Sequence, residues 1–255
     1  VSTDDNFYYI DVIEYPSVKN IFLENNERLK DEEIQLIIDD LNIDNLSDKN
    51  IDLLITEISK IYKSFGYNNI EINKNIILYE NNSGDLYLNF NEGNITKIKN
   101  INILGNTNFE KNILLSKIKS KTKKLSNIFA NNNFKLFQIQ NDTIRLIKFY
   151  KANGYRNVSV EFDIEYFDNN KVDVNFKIIE GDMFYISSID YRNNLSYGNI
   201  DQSLKSILNN KSKIINNFYN EEKIDNFEFL ISEIIEQSEV QFFEIKTFEK
   251  IEGNN

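Results

Sequence analysis

The chain contains no histidine, no cysteine and no tryptophan, and it has a single proline. The first two absences remove whole classes of chemistry. Without imidazole or thiol groups, the common nucleophile–base pairs cannot be built. The usual zinc sites go with them, and so do disulfides. No Walker A or G-x-G-x-x-G loop is present to cradle phosphates, and no D-x-D-x-D-G loop to hold calcium. There are 40 carboxylates in 255 residues, so paired acids occur by chance, and Asp39-Asp40 and Glu32-Glu33 read as solvated helix faces. No enzyme activity, catalytic residue, cofactor or metal is expected.

No apolar run approaches the roughly 18 residues that a membrane-spanning helix needs. The opening VSTDDNF also lacks the basic and apolar regions of a signal peptide. The chain begins without methionine, and it reads as a fragment entered in mid-domain. A formal charge of −11 opposes binding to phosphate backbones, so no nucleic-acid partner is expected. The one basic stretch, with Lys117, Lys119, Lys121, Lys123 and Lys124, reads as a solvated helix end and loop. A hydrophobic fraction of 41% with 27% charged residues describes a folded chain, not a disordered one.

What is present is repetition. Gly66-Tyr67 and Gly154-Tyr155 are separated by 88 positions, and so are Glu92-Gly93 and Glu180-Gly181. The apolar pattern between these anchors also matches. Each copy reads as β-α-α-β-β. In the first, a strand at about Val18–Leu23 turns at Asn25-Asn26. A helix follows at about Lys30–Leu41, with Ile34, Ile37, Ile38 and Leu41 on one stripe. A second helix at about Ser47–Ser64 carries Ile51, Leu54, Ile55, Ile58, Ile61, Tyr62 and Phe65, and Gly66 stops it. Strands at about Asn69–Tyr79 and Asp85–Phe90 close the unit across Asn81-Asn82-Ser83-Gly84.

The second copy starts at about Lys97–Leu104 and turns at Gly105-Asn106, 80 positions after Asn25-Asn26. The offset then grows by eight, which places an insertion between Ser120 and Gln138. Its helix answers the first copy with Ile139, Leu146, Phe149 and Tyr150. Its hairpin runs at about Asn157–Phe167 and Lys171–Ile179. A third copy is expected from a strand at about Phe184–Tyr191, with Asn193-Asn194 at the turn. Helices at about Ile200–Leu208 and Glu221–Glu236 and an extended Val240–Phe248 complete it. It lacks the Gly-Tyr corner. Phe7–Tyr15, ending at Pro16, reads as a lone strand left from a preceding unit. The expected divisions are therefore 1–16, 17–93, 94–181 and 182–255, the last short of its final strand.

A β-α-α-β-β unit makes a three-stranded mixed sheet with both helices on one face, an α+β fold. The opposite face and at least one edge strand are then left open, and the free N–H and C=O groups of such an edge are a template for an extended partner. In the second copy Val158, Val160, Phe162 and Ile164 fall on one strand face. Ser159, Glu161, Asp163 and Glu165 fall on the other.

The segments ILGNTNF, IKFYKANGY and IIEGDMFYISSIDYRNN, in this order, resemble the POTRA domains of the Omp85 (BamA-like) family of outer-membrane protein assembly factors. Weaker copies stand in FLENNERL, ISKIYKSFGY and FNEGNITKIKNINILGN. The resemblance implies tandem POTRA repeats in the periplasm, attached to the outer membrane through a C-terminal barrel absent from this sequence. It implies a scaffold that receives unfolded outer-membrane proteins by β-augmentation and docks accessory lipoproteins. The long linker of the second copy is similar to that of a third POTRA domain, so the units would be the second, third and fourth. A TamA-like factor, a two-partner-secretion transporter and a purely structural spacer remain open. In the family the last strand of each sheet is central and the second is at the edge. Carried over, the candidate peptide-binding positions are Asn157, Val158, Ser159, Val160, Glu161, Phe162, Asp163 and Ile164, with Ile70 and Ile72 in the first copy. Gly66, Tyr67, Gly105, Asn106, Gly154, Tyr155 and Gly181 would shape the turns and corners.

Overall fold

In the computed structural model, the ends of the first two helices are set by local hydrogen bonds and left-handed residues. Lys30 precedes the first helix, α1 (Asp31–Leu41), and its N–H donates to the Glu33 carboxylate at 2.9 Å. Asn42 closes it in the left-handed conformation at φ 51°, which Asn tolerates. Ser47 caps α2 (Asp48–Phe65) by accepting from the Asn50 N–H at 3.3 Å, one of the four donors a helix start leaves unpaired. Gly66 stops it at φ 104°. The structure describes residues 2–4, 7–9, 12–123, 131–189, 205, 214–237, 240 and 242–253.

The remaining elements, in chain order, are β1 (Ser2–Asp4), β2 (Phe7–Tyr9), β3 (Ser17–Glu24), β4 (Glu71–Leu78), β5 (Ser83–Asn91) and β6 (Lys97–Leu104). Then come α3 (Lys111–Lys117), α4 (Leu136–Lys151), β7 (Ser159–Phe167), β8 (Lys171–Ile179) and α5 (Glu221–Glu236). The first repeat forms a sheet of order β3-β5-β4, with β3 parallel and β4 antiparallel to β5. The second forms β6-β8-β7. In both, the last strand made is the middle one. This is the α+β arrangement expected, two β-α-α-β-β units with three-stranded mixed sheets.

Contacts divide the chain into two compact units whose limits differ from those of the repeats. One holds residues 1–98, 131–137 and 166–172, and the other 99–130, 138–165 and 173–255. Within the first, Ile51, Leu54, Ile58 and Tyr62 of α2 are fully buried, together with Ile34 of α1 and Leu86 and Leu88 of β5. Each such side chain contributes about 1.5–3 kcal/mol on leaving water. The same unit contains the first turns of the second repeat. The Thr96 N–H donates to the Gly66 carbonyl at 2.9 Å, and the Asn68 amide donates to the Phe134 carbonyl at 3.1 Å.

In the second unit, Val174, Phe176 and Ile178 of β8 and Ile139, Leu146 and Tyr150 of α4 are buried. They stand 88 positions after Leu86, Leu88, Phe90, Ile51, Ile58 and Tyr62. One position breaks the match: where the first repeat buries Leu54, the second buries Asp142, also at 0% exposure. Its carboxylate accepts from the Lys119 and Ser120 backbone N–H groups, both at 2.8 Å, and from Arg145 at 2.7 Å. The backbone just past α3 is bonded to α4 through this carboxylate. A buried charge is tolerable when it is paired and hydrogen-bonded.

Several expectations need correction. Of the strand expected over Phe7–Tyr15, Phe7–Tyr9 forms, residues 12–15 are not strand, and Phe7–Tyr9 is not alone, because it pairs antiparallel with Ser2–Asp4. The intervening sequence is of turn-forming residue types. The β4–β5 turn is tighter than expected: Ser83 and Gly84 already belong to β5, facing Ser17 and Val18 of β3. A Cβ on Gly84 would lie 2.8 Å from the Ile77 carbonyl, so Gly serves close strand packing here. In the segment expected as a third repeat, α5 forms as expected, and Tyr185 makes an isolated bridge to Phe218. Equivalent bridges, Ser17 to Asn45 and Lys97 to Asn133, open the two earlier repeats. The helix expected at Ile200–Leu208 and the turn at Asn193-Asn194 lie outside the described residues, apart from helical Lys205. The described part of Val240–Phe248 carries no strand.

Candidate functional site

Each three-stranded sheet has one antiparallel edge strand supplied by the hairpin, β4 in the first repeat and β7 in the second. The first strand of each repeat pairs with the last, so the second strand is left with one row of backbone groups unused. Ile72 lies in β4 and is half-buried, and Ile70 lies one residue before the strand. Ser159, Val160, Glu161, Phe162, Asp163 and Ile164 lie in β7, while Asn157 and Val158 lead into it. Val158 and Val160 are buried, Phe162 and Ile164 are half-buried, and Ser159 and Glu161 are exposed. The alternation thus places the apolar side chains inward and leaves the backbone as the feature open to a partner. Lys74 of β4 is anchored to Asp48 and Asp52 of α2, each at 2.9 Å. Asp163 of β7 is anchored to Asn175 at 2.8 Å and to Lys177 at 2.5 Å. The bond to Lys177 first, and then Asn175, hold the Asp163 carboxyl below its ordinary range.

The turn and corner residues converge on one another, which spacing alone did not reveal. Glu180 is buried at 6% exposure. Its carboxylate accepts from the Thr107 N–H at 2.9 Å, the Asn108 N–H at 3.1 Å and the Tyr150 hydroxyl at 2.8 Å. The Thr107 hydroxyl and the Asn108 side-chain amide also donate to it. Burial alone would raise its pKa, but the donors on Thr107, Asn108 and Tyr150 overcome that and hold it at about 2. Charge-assisted bonds of this kind are the strong ones. Burial, and then the bond to Glu180, push the Tyr150 hydroxyl well above its ordinary range.

The first repeat holds the same cluster in reduced form. Glu92 accepts from the Arg28 N–H and from the Tyr62 hydroxyl, each at 2.7 Å. Thus the turn after the first strand, the tyrosine near the end of the second helix and the glutamate of the Glu-Gly exit form one closure per repeat. The signal was present in the sequence as two Tyr–Glu pairs, each 30 positions apart, but nothing in spacing joined them to the turn.

The glycines and asparagines shape the same region. Gly105 sits at φ 82°, and a Cβ there would fall 2.1 Å from the Ile178 carbonyl oxygen. No side chain fits. Asn106 donates to the Phe109 carbonyl at 2.9 Å, as Asn26 does to Leu29 at 3.0 Å. Gly154 ends the second helix of its repeat, and Tyr155 returns its N–H to the Tyr150 carbonyl at 3.1 Å. The Tyr67 N–H returns to Tyr62 at the same distance. Tyr155 and Tyr150 meet edge-on, as do Tyr67 and Tyr62. Gly181 follows Glu180 at φ 71°.

Two β-α-α-β-β units, each a three-stranded mixed sheet with the hairpin's first strand at a rim, define the fold class. Residues 96–181 match the POTRA family, described as a surface antigen variable number repeat. The POTRA domains of that family are generally non-catalytic binding modules, and the fold of the chain is similar to that of POTRA domains from BamA. One similar structure is a POTRA3-5 fragment of BamA from Haemophilus influenzae, at 16% identity and a TM-score of 0.51, covering 95% of this chain and 93% of that one. POTRA1-3 of Omp85 from Anabaena aligns at 16% identity and a TM-score of 0.33, covering 66% of each chain. CdiB from Escherichia coli aligns at 12% identity and a TM-score of 0.33, covering 69% of this chain and 29% of that one. No curated protein sequence matches. Among the described residues, no helix is long and apolar enough to cross a membrane.

Proposed function

We propose that this chain is the periplasmic binding scaffold of an outer-membrane β-barrel assembly machine, without catalysis of its own. Unfolded outer-membrane proteins would add a strand to the free edges of β4 and β7, and accessory lipoproteins would dock on the same array. A C-terminal membrane barrel would tether the scaffold to the outer membrane. The observation that carries this reading is the position of β4 and β7 at the rims of their sheets, with Val160, Phe162 and Ile164 of β7 turned inward. Backbone hydrogen bonding accepts many client sequences, because every non-proline residue offers the same donor and acceptor. The fold similarity to a three-domain BamA fragment supports a division into units at 17–93, 94–181 and 182–255.

The test is a titration of the isotope-labelled chain with an extended peptide copying the last strand of an outer-membrane barrel. Amide shifts concentrated on 71–78 and 159–167 are the expected result. An unchanged spectrum at about 1 mM peptide, the level at which binding is worth only ~4 kcal/mol, overturns strand addition.

A further inference from the structure

The helix face of the first repeat carries an opening that the strand edges do not explain. Leu36, Ile37, Asp40 and Leu41 of α1 and Glu57 and Ile61 of α2 line a groove of about 500 Å³. Ile34 and Ile38 already seal the core beneath α1. Leu36 is 69% exposed and contributes nothing to that core. On each wall an apolar and an acidic side chain stand four positions apart, Leu36 with Asp40 and Ile61 with Glu57. That spacing is one helical turn, about 5.4 Å along the axis.

The charge on α1 is one-sided, whereas Glu57 of α2 is already paired with Lys60 at 2.6 Å. Helix α1 carries Asp31, Glu32, Glu33, Asp39 and Asp40 and no basic residue. The first three are favoured by the helix dipole, whereas Asp39 and Asp40 sit in the last turn, where the dipole opposes them. Asp39 accepts from Gln35 at 2.8 Å, while Asp40 makes no ion pair among the described residues. The fold does not require this acidity. The corresponding helix of the second repeat, α3, has the sequence KNILLSK, with two lysines and no acid. An unfavourably placed carboxylate beside an exposed leucine, at the mouth of an apolar groove, is a local conflict of the kind found at binding sites.

We propose that the groove between α1 and α2 docks a basic amphipathic helix of a partner protein. Its apolar residues would cover Leu36, Ile37, Leu41 and Ile61, and its lysines or arginines would pair with Asp40. Apolar side chains one turn apart, flanked by cations, match the walls in both spacing and sign. The docking is independent of strand addition, since it uses side chains on the helix face and leaves both sheet edges untouched.

The experiment uses fluorescence anisotropy with the whole chain and two labelled amphipathic peptides of about 18 residues, one of Leu and Lys, the other of Leu and Glu. The Leu/Lys peptide binds, and the Leu/Glu peptide does not. Leu36→Ser and Asp40→Lys each weaken the Leu/Lys peptide by about tenfold or more, while Glu32→Lys, the same charge change outside the groove, leaves it within about twofold. Asp40→Lys also raises the Tm of the free chain, because a cation suits the end of α1. The gain in stability separates lost binding from lost folding. No binding overturns the proposal, as does equal weakening by Asp40→Lys and Glu32→Lys, which is bulk charge attraction. Undiminished binding in Leu36→Ser also overturns it. An extended barrel-strand peptide that competes with the Leu/Lys peptide shows that the groove takes a strand, and refutes the assignment of a helix.

Discussion

Glu180 is the residue on which the second repeat closes, and its chemistry sets a pH dependence. In the folded chain its carboxyl is held at about 2, against an ordinary value of 4.5. The unfolded chain therefore binds the proton more readily, so the stabilisation is complete above about pH 4.5 and is lost as the pH falls towards about 2. A shift of this size corresponds to ~3 kcal/mol. Glu180→Gln is expected to flatten the acid limb of the stability curve, measured by urea denaturation between about pH 2 and 6. A variant whose acid limb matches that of the parent would show that other carboxyls carry it. The sequence marked Glu180, Tyr150 and the Gly105-Asn106 turn as separate anchors. Their meeting is a tertiary contact between residues 73 positions apart, and no local pattern encodes such a contact.

At the level of elements, periodicity and punctuation made most of the fold legible. The stripe of α2, its Ser47 cap and its Gly66 stop fall within a residue or so of expectation, because each is a local interaction. The order β3-β5-β4 was legible only through family resemblance, since alternation alone cannot say which strand is central. Asp142 was not legible. A lone aspartate in an apolar stripe gives no sign that the backbone of residues 119 and 120 will lie against it. Its partners predict an outcome opposite to simple hydrophobicity. Asp142→Leu, which restores the residue of the first repeat, is expected to destabilise by about 3 kcal/mol or more, through two orphaned backbone donors and an unpaired Arg145. Thermal or urea unfolding checks this, and a stabilised variant would show that the loop finds other partners.

At the level of the whole chain, the repeat and the stable unit are different objects. Residues 96–181 match the family, yet Thr96, Phe134 and Asn170 are bonded within the first compact unit to Gly66, Asn68 and Asn69. An excised 96–181 fragment loses those bonds. It is expected to unfold about 1–3 kcal/mol more easily than the same residues in the full chain, followed by hydrogen exchange at β8. Equal protection in both would mean that these bonds contribute nothing to the stability of the repeat.

The central place of β5 and β8 bears on how such a chain matures as it emerges from one end. Until the nine-residue last strand of a repeat arrives, its first two strands stand on either side of an empty slot and share no ladder with each other. Residues 17–78 or 97–167 alone would be helices docked to two separated strands. Any passing strand of suitable alternation could occupy that slot first. Sheet completion is thus the last event in the synthesis of each repeat, and the Tyr–Glu closure just beyond it, at Glu92 or Glu180, acts as the bolt drawn once the right strand is home.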